Sequence, residues 1–311
     1  MSIPLIINPA AGRGAGSRLE NRLRDELASH GIKTDIIRSK GPNDVTACVA
    51  AALASKPERI LIAGGDGTVH EAVNGWMRAG GGAPLGVIPV GTGNDFMKML
   101  DRHSDDWRAA CALIAHGHAR QIDIARCTGT YECRGRHDAG SDRCNDFYFA
   151  NSIGIGFDAQ VAMEANRMQW LHSKLVYGVA LMKTLLLKHR TPLVHLRAGE
   201  TDIETLITLI AVNNGRVEGG SFVLAPHAEI DDGLLDVVIA AGMSRLGILQ
   251  LVPSVLAGTH LDRHGVTAFR ATRILIESDI GLPVHADGEI RYTDATRLEI
   301  EILPGRLAVI T

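Results

Sequence analysis

Residues 63 to 75 read AGGDGTVHEAVNG, and one carboxylate sits among the glycines. Gly64, Gly65 and Gly67 allow a tight strand-to-helix turn, and bare amides at such a turn favour anions, phosphate above all. Asp66 carries the same sign of charge as that ligand. A carboxylate beside phosphates is repulsive alone and favourable once a divalent cation lies between them. Mg²⁺ suits that place, because one or two carboxylates plus phosphate oxygens and waters complete its octahedron. The stretch therefore reads as nucleotide with metal. Two further turns are of the same kind, NPAAGRGAGS (8–17), which carries Arg13, and GTGND (91–95), which carries Asp95. An Asp at a helix start is most often an N-cap, a reading that suits Asp95. It suits Asp66 less well, because Thr68 close behind is itself a competent cap. None of the three turns completes the dinucleotide pattern G-x-G-x-x-G or a Walker A motif.

Such turns need a parallel sheet behind them, since ligands bind at the carboxyl edge of its strands. The first third supplies that pattern. PLIINPAAG, IKTDIIRS, RILIAGG and LGVIPV read as strands. Between and after them SRLENRLRDELASHG, closed by Gly31, DVTACVAAALAS, VHEAVNGWMRAG and the end of GTGNDFMKML read as helices. After Gln121 strand-like segments dominate: IDIARC, DFYFANSIGIG, TLITLIAVNN, LLDVVIAA, RILIES and RLEIEIL. Helices interrupt them around 158–188 and 245–256. This second block reads as a mostly antiparallel sheet domain.

Bulk properties narrow the function. The 311 residues suit two domains, and 46% hydrophobic content gives each a core. With 32 Lys plus Arg against 35 Asp plus Glu, and 4% aromatics, nucleic acid is not an expected partner. No stretch approaches the roughly 18 apolar residues of a membrane span. The N-terminus reads as a first strand and not a signal peptide, and five cysteines without a secretory signal point to reduced thiols in the cytoplasm.

INPAAGRG, GGDGTVHEAVNG and PVGTGNDF, in that order and spacing, resemble the catalytic domain of diacylglycerol-kinase-type lipid kinases. That group includes bacterial diacylglycerol kinases and the sphingosine and ceramide kinases. The likeness continues in NSIGIGFDAQV, PHAEIDDGLLDVVI, HADGEI and LEIEILPG, and so covers nearly the whole chain. It implies a Rossmann-like α/β nucleotide-binding domain over 1–122 plus 304–311, the last strand returning to the first domain. A β-sandwich lipid-acceptor domain over 123–303 follows, with the active site in the cleft between them. ATP and Mg²⁺ are the implied cofactors and a lipid hydroxyl, diacylglycerol first, the implied acceptor. The protein would then associate peripherally with a membrane surface; a homodimer is left open.

The same resemblance assigns roles. Asn8 and Ser39 line the nucleotide, and Arg13 stands near the phosphates. Gly64, Gly65, Asp66, Gly67, Thr68, Gly91 and Thr92 belong to the phosphate loops, with Glu71 and Asn94 close by. Asp95 joins the acidic network round the metal. Glu289 matches the glutamate proposed to accept the proton of the lipid hydroxyl, and Asp66 competes for that role. Read by itself, Asp287-Gly288-Glu289 is a hairpin turn. In EIDDGLL the resemblance implies a structural Mg²⁺ held by the Asp232 carboxylate and the backbone carbonyls of Glu229 and Leu234.

Three features stay apart from this scheme. Cys127, Cys133, His137 and Cys144 could form a Cys₃His zinc site, but their spacing matches no zinc knuckle. LHSKLVYGVALMKTLLLKHR (171–190) offers an apolar stripe among basic residues, which reads as a helix packed on the sheet, or else as one lying in a membrane interface. GGDGT is also shared by NAD kinases, so a soluble-substrate kinase is the alternative enzyme, and a catalytically silent nucleotide-binding regulator the alternative of another class.

Overall fold

The computed structural model describes residues 2–100, 105–131, 145–168 and 173–311. The chain divides into two compact units, Met1–Ile124 with Pro304–Thr311, and Ala125–Leu303.

The first unit contains β1 (Ile3–Ile7), α1 (Ala11–Ser29), β2 (Thr34–Arg38), α2 (Asp44–Ala54), β3 (Ile60–Gly64), α3 (Asp66–Arg78), β4 (Leu85–Pro89), α4 (Asp95–Met99) and α5 (Trp107–His116). β5 (Ala119–Tyr131) begins in it. Leu5, Ile6 and Ile7 in β1 and Ile60 to Ala63 in β3 are wholly buried, as befits strands covered on both faces. All of these pairings are parallel, in the order β2-β1-β3-β4. Val309, near the end of the chain, pairs in parallel with Leu85 on the free side of β4. The sequence reading predicts a Rossmann-like parallel sheet without a strand order; the pairings of this unit are parallel, but a Rossmann sheet as such is not established. The strands follow the other doubly wound order, in which the crossovers reverse direction between β1 and β3. Leu23 and Leu27 of α1 share a core with Cys111 and Ile114 of α5. Burial pushes the Cys111 thiol up to about 12. The sequence reading left α5 unassigned, although Asp106 caps it by accepting from the backbone N–H groups of Arg108 and Ala109.

The second unit is built from β6 (Asn145–Phe149), β7 (Ser152–Gly156), α6 (Phe157–Asn166), α7 (Ser173–Leu187), β8 (Leu193–Ala198), β9 (Thr201–Asn213), β10 (Val217–Glu218), β11 (Phe222–Val223), β12 (Leu235–Ala241), α8 (Arg245–Leu256), β13 (Val266–Ala271), β14 (Arg273–Ala286) and most of β15 (Glu289–Ile310). Its strand pairs run antiparallel, in the order β13-β12-β9-β7-β14-β15, with β8 against β9 and β14. Phe147, Phe149, Ile153, Ile210, Val237 and Val284 form the centre of its core. Cys127 lies in that core, where burial raises its thiol pKa. Cys133, His137 and Cys144, its partners in the zinc reading, lie outside the described residues.

One expected strand, DFYFANSIGIG, is two. The Asp287 carboxylate accepts hydrogen bonds from the backbone N–H groups of Ala150, Asn151 and Ser152 at 2.9–3.2 Å. These amides are thereby taken out of the strand ladder, and the chain bends between β6 and β7.

Candidate active site

Because β1 to β4 are parallel, the segments after them emerge at one edge of the sheet. Asn8 follows β1, Ser39 follows β2, Gly64 ends β3 with Gly65 after it, and Gly91 comes two residues after β4. The reversal of crossover direction lies between β1 and β3, where an open α/β sheet forms its ligand crevice. Asn8 and Thr68 span that point: the Asn8 side-chain amide donates to the buried Thr68 hydroxyl at 2.9 Å. The Asn8 side-chain oxygen accepts from the Ala10 N–H at 3.0 Å, which fixes the turn after β1.

The three glycine-rich segments lock together backbone to backbone. A Cβ on Gly91 would lie 2.5 Å from the Gly65 Cα, and one on Gly12 would lie 2.1 Å from the Val90 carbonyl oxygen. Any side chain at Gly65 or Gly91 would force these turns apart. Gly12, Arg13 and Gly14 all have left-handed φ, between 57° and 83°, so the amides turn before the regular part of α1 begins. A left-handed Arg13 is costly for an L residue and is held here by its neighbours.

The quoted GDGT run is not a loop. α3 begins at Asp66, and its N-terminus at Gly65 has no side-chain cap. That leaves the amide-rich helix end and its positive dipole directed at the crevice. Asp66 itself serves another helix. Its Oδ1 accepts the Phe96 backbone N–H at 3.2 Å, which ties the start of α3 to the start of α4. Asp66 thus has a capping role, though for a helix 30 residues farther along.

Asp95 is buried and paired through Oδ1 with the Lys98 ammonium at 2.8 Å. Asn94 precedes it with φ 52°, and its side-chain amide donates to the Gly91 carbonyl at 3.1 Å. A Cβ at Gly93 would lie 2.7 Å from Asp66 Oδ2 and 4.0 Å from Asp95 Oδ2. The two carboxylates therefore face one common space above a glycine. Such a pair beside amide-rich turns suits a hard divalent cation with phosphates. Ser39 is buried at the same edge, while Arg13 and Thr92 are exposed.

Glu71 is placed differently. Its two carboxylate oxygens accept the Asn43 and Val45 backbone N–H groups at 2.8 and 3.1 Å, so it caps α2. The loop motif hides this role, because the capped helix precedes Glu71 in the chain.

In the second unit, Ala286 pairs with Glu289 across Asp287 and Gly288, which have φ of 48° and 84°. This is the two-residue hairpin turn that Asp-Gly favours. Glu289 opens β15 and is exposed, and among the described residues its carboxylate has no hydrogen bond or ion pair. Asp232, by contrast, is engaged: Oδ1 accepts the Leu234 N–H at 2.9 Å and Oδ2 faces the Arg270 guanidinium at 3.5 Å. Arg270 also donates to the His227 carbonyl and to Asp236. An ion pair with Arg270 thus stands at the turn that holds Glu229, Asp232 and Leu234.

One constellation has no counterpart in the sequence reading. His285 Nε2 lies 2.8 Å from Glu218 Oε1 and 3.1 Å from Asp158 Oδ2, and the Ser152 hydroxyl donates to Glu218 Oε2 at 2.8 Å. Burial alone would favour the neutral imidazole, but the Glu218 and Asp158 carboxylates outweigh it and raise the His285 pKa well above its ordinary value. Burial, and then Asp158, raises the pKa of Glu218. Positions 158, 218 and 285 share no local spacing. They meet through the antiparallel register that sets His285 opposite Gly154.

Comparison with known proteins agrees with this architecture. Residues 2–127 match the diacylglycerol kinase catalytic domain, and residues 151–311 match the YegS C-terminal NAD kinase beta sandwich-like domain. A diacylglycerol kinase of Mycobacterium tuberculosis (strain CDC 1551 / Oshkosh) is 30% identical over 308 residues, covering 99% of this chain and 94% of that one. A crystal structure of a putative diacylglycerol kinase from Bacillus anthracis str. Sterne has a TM-score of 0.78 at 27% identity, covering 99% of this chain and 96% of the other. Yeast NADH kinase complexed with NADH, at 10% identity and a TM-score of 0.50 over 99% of this chain and 82% of its own, shares the fold alone. An α/β domain followed by a β-sandwich-like domain is thus a common frame for kinases of different acceptors. Membership of a kinase family implies ATP as the phosphoryl donor. The chain belongs to the diacylglycerol kinase catalytic-domain family of lipid kinases and is a lipid phosphotransferase.

Proposed function

We propose that this chain transfers the γ-phosphoryl group of ATP to the free hydroxyl of diacylglycerol, giving phosphatidate and ADP. The observation that carries this is the space shared by the Asp66 and Asp95 carboxylates, where three amide-rich turns meet at one sheet edge. The relatives named diacylglycerol kinase favour that acceptor over other lipids.

The uncapped start of α3 and the left-handed turn at Gly12 to Gly14 receive the phosphates, and Arg13 adds a positive charge. Asn8, Thr68 and Ser39 fix the nucleotide end of the crevice. Asp66 and Asp95 would hold Mg²⁺, which when bound neutralises charge on the triphosphate. The new P–O bond forms at the acceptor oxygen as the bond from Pγ to the ADP oxygen breaks, and Glu289 accepts the hydroxyl proton. Glu289 is favoured over Asp66 because its carboxylate is exposed and has no partner among the described residues, whereas Asp66 already holds the Phe96 N–H. A positioned base contributes on the order of 10²- to 10⁴-fold.

The test is transfer of labelled phosphate from ATP to dispersed diacylglycerol, phosphatidylglycerol, monoacylglycerol, sphingosine, ceramide or NAD, with Mg²⁺ omitted as control. Label is expected in a lipid product, with diacylglycerol preferred. Label entering NAD instead would overturn the lipid reading, and bound ATP with no labelled product would make the chain a silent nucleotide binder.

A further inference from the structure

His285 lies at the foot of the hairpin that carries Glu289, and it is fully buried. One ring nitrogen holds it. Nε2 donates toward Glu218 Oε1 at 2.8 Å and Asp158 Oδ2 at 3.1 Å, while Nδ1 is buried without a partner among the described residues. That spacing belongs to hydrogen bonds, since atoms ligating a tetrahedral zinc would stand roughly 3.3 Å apart. Facing the ring are the Asp158 carboxylate from α6, the Glu218 carboxylate from β10 and the Gly154 backbone from β7. Among the described residues no Lys or Arg pairs with either carboxylate.

Hydrogen bonds carry this cluster to the turn itself. The Ser152 hydroxyl donates to Glu218 Oε2 at 2.8 Å, and the Ser152 backbone N–H donates to Asp287 Oδ1 at 3.1 Å. In return the Asp287 N–H donates to the Ser152 carbonyl at 2.9 Å. Only Ala286 separates Asp287 from His285 in the chain. A closed ring results, running from His285 through Glu218 and Ser152 to Asp287 and back along β14. Ser152 is buried and Glu218 nearly so. The side-chain amide of Asn151 fastens β10 as well, donating to the Val217 carbonyl at 2.9 Å.

Two features show what the ring is holding. The β14–β15 register slips between Val284, opposite Tyr292, and His285, opposite Ile290. An irregularity of this kind bends a hairpin and re-aims the residues beyond it. Glu289 lies beyond it, exposed at the start of β15. Gly154, for its part, has no positive φ and is small for reasons of space. A Cβ there would lie 2.2 Å from His285 Nε2 and 2.3 Å from Asp158 Oδ2. The main chain of β7 is thus bare where the imidazole and the carboxylate meet. Stability is a poor reason for such a cluster, because apolar groups of similar volume are often as stable as buried charges. What a fully engaged polar cluster supplies is one fixed geometry.

Resting on the reading of Glu289 as the acceptor base, we propose that His285 is a positioning residue for it. Clamped by Glu218 and Asp158, His285 fixes the β14–β15 turn so that the Glu289 carboxylate is held in place for the acceptor hydroxyl. His285 touches no reactant. Its two carboxylate partners favour the imidazolium, so the clamp is complete at neutral pH and loosens as pH rises through the raised His285 pKa.

The test compares parent and His285→Gln as whole proteins, with ATP and dispersed diacylglycerol. The kcat should fall roughly 10- to 10²-fold, as expected for a misplaced base, while KM for ATP keeps its parent value. Parent kcat should decline at a pH well above 6.5, the ordinary histidine value, and the variant should lack that limb. Gly154→Ala keeps every titratable group and should lose kcat to a similar extent. Should His285→Gln not fold, His285→Leu combined with Glu218→Leu removes both buried charges, and it should fold with the same loss of kcat. Hydrogen exchange needs no substrate, and amides 286–290 should exchange faster in each variant than in the parent. Parent-like kcat and pH profile in a folded variant would overturn the proposal. So would unchanged exchange at the hairpin, or an equimolar zinc ion retained by the parent and lost by His285→Gln. Faster hairpin exchange in variants of a parent that phosphorylates no lipid would instead sink the kinase reading and leave the clamp standing.

Discussion

The proposed function gives Asp66 a second role beside its capping bond, and substitutions can separate the two. As an acceptor for the Phe96 N–H it is a helix cap, worth about 1 kcal/mol when removed. As a charge facing the same space as Asp95 it has the metal-holding role proposed above. Asp66→Asn keeps an acceptor oxygen and loses the charge, so its melting temperature should stay near the parent value while kcat falls on the order of 10²-fold or more through lost charge stabilisation. Asp66→Ala should lose both. Equal turnover in Asp66→Asn and parent, with the fold intact, would reduce Asp66 to a cap. The sequence made Asp66 conspicuous by its charge among glycines, but the capping role was hidden, because its partner lies 30 residues away on another helix. The cluster of Asp158, Glu218 and His285 was hidden for a stronger reason. Side chains brought together by strand register leave no mark in local spacing.

Among the elements, the β14–β15 hairpin depends on a residue that reads as mere turn chemistry. Asp287 supplies the left-handed position and also receives three backbone N–H groups of Ala150 to Ser152. These amides are buried, so leaving them without an acceptor is costly. Asp287→Ala should lower stability by about 2–4 kcal/mol in urea unfolding. It should lower kcat as well, because Glu289 stands just beyond the turn; Asp287→Asn should fall between. A parent-like midpoint for the alanine variant would contradict this account of the bend. The same bond explains why DFYFANSIGIG reads as one strand in the sequence. The carboxylate that divides it lies 137 residues from Ala150. By contrast α1, α2 and β1 to β4 were legible, since apolar period and a left-handed Gly31 after α1 specify them locally. α5 went unread although its cap at Asp106 was visible, because ten residues give little periodicity to count.

For the molecule as a whole, the acid limb of stability should bear the signature of one buried group. Hydrogen bonds from Lys183 and then Lys188 hold the Glu164 carboxylate well below its ordinary range, at about 2. A pKa depressed in the folded state contributes stability that is complete above the ordinary value of about 4.5 and is lost as pH falls toward about 2. Urea midpoints of the parent and of Glu164→Gln should therefore differ most near neutral pH and converge on acidification. The difference at neutral pH should be about 1–3 kcal/mol, reduced by the exposure of both lysines. Parallel curves across that range would assign the acid sensitivity elsewhere. The partition into an α/β part and a mostly antiparallel part was readable from the change in strand spacing after Gln121. The order of the parallel strands was not, because every permutation of buried strands has the same local pattern.

One pairing has a consequence in time. β4 has β3 on one side, and on the other it meets Val309, near the end of the chain. Leu307, Ala308, Val309 and Ile310 are buried there, and the Gly305 N–H is held by the buried Asp123 at 2.6 Å. While the chain emerges from the ribosome, the first unit waits with an apolar sheet edge bare, through the synthesis of everything between residues 124 and 304. The first unit is begun before the second and closed after it, so its edge must be shielded, or kept from pairing with a neighbour, until residues 304–311 arrive.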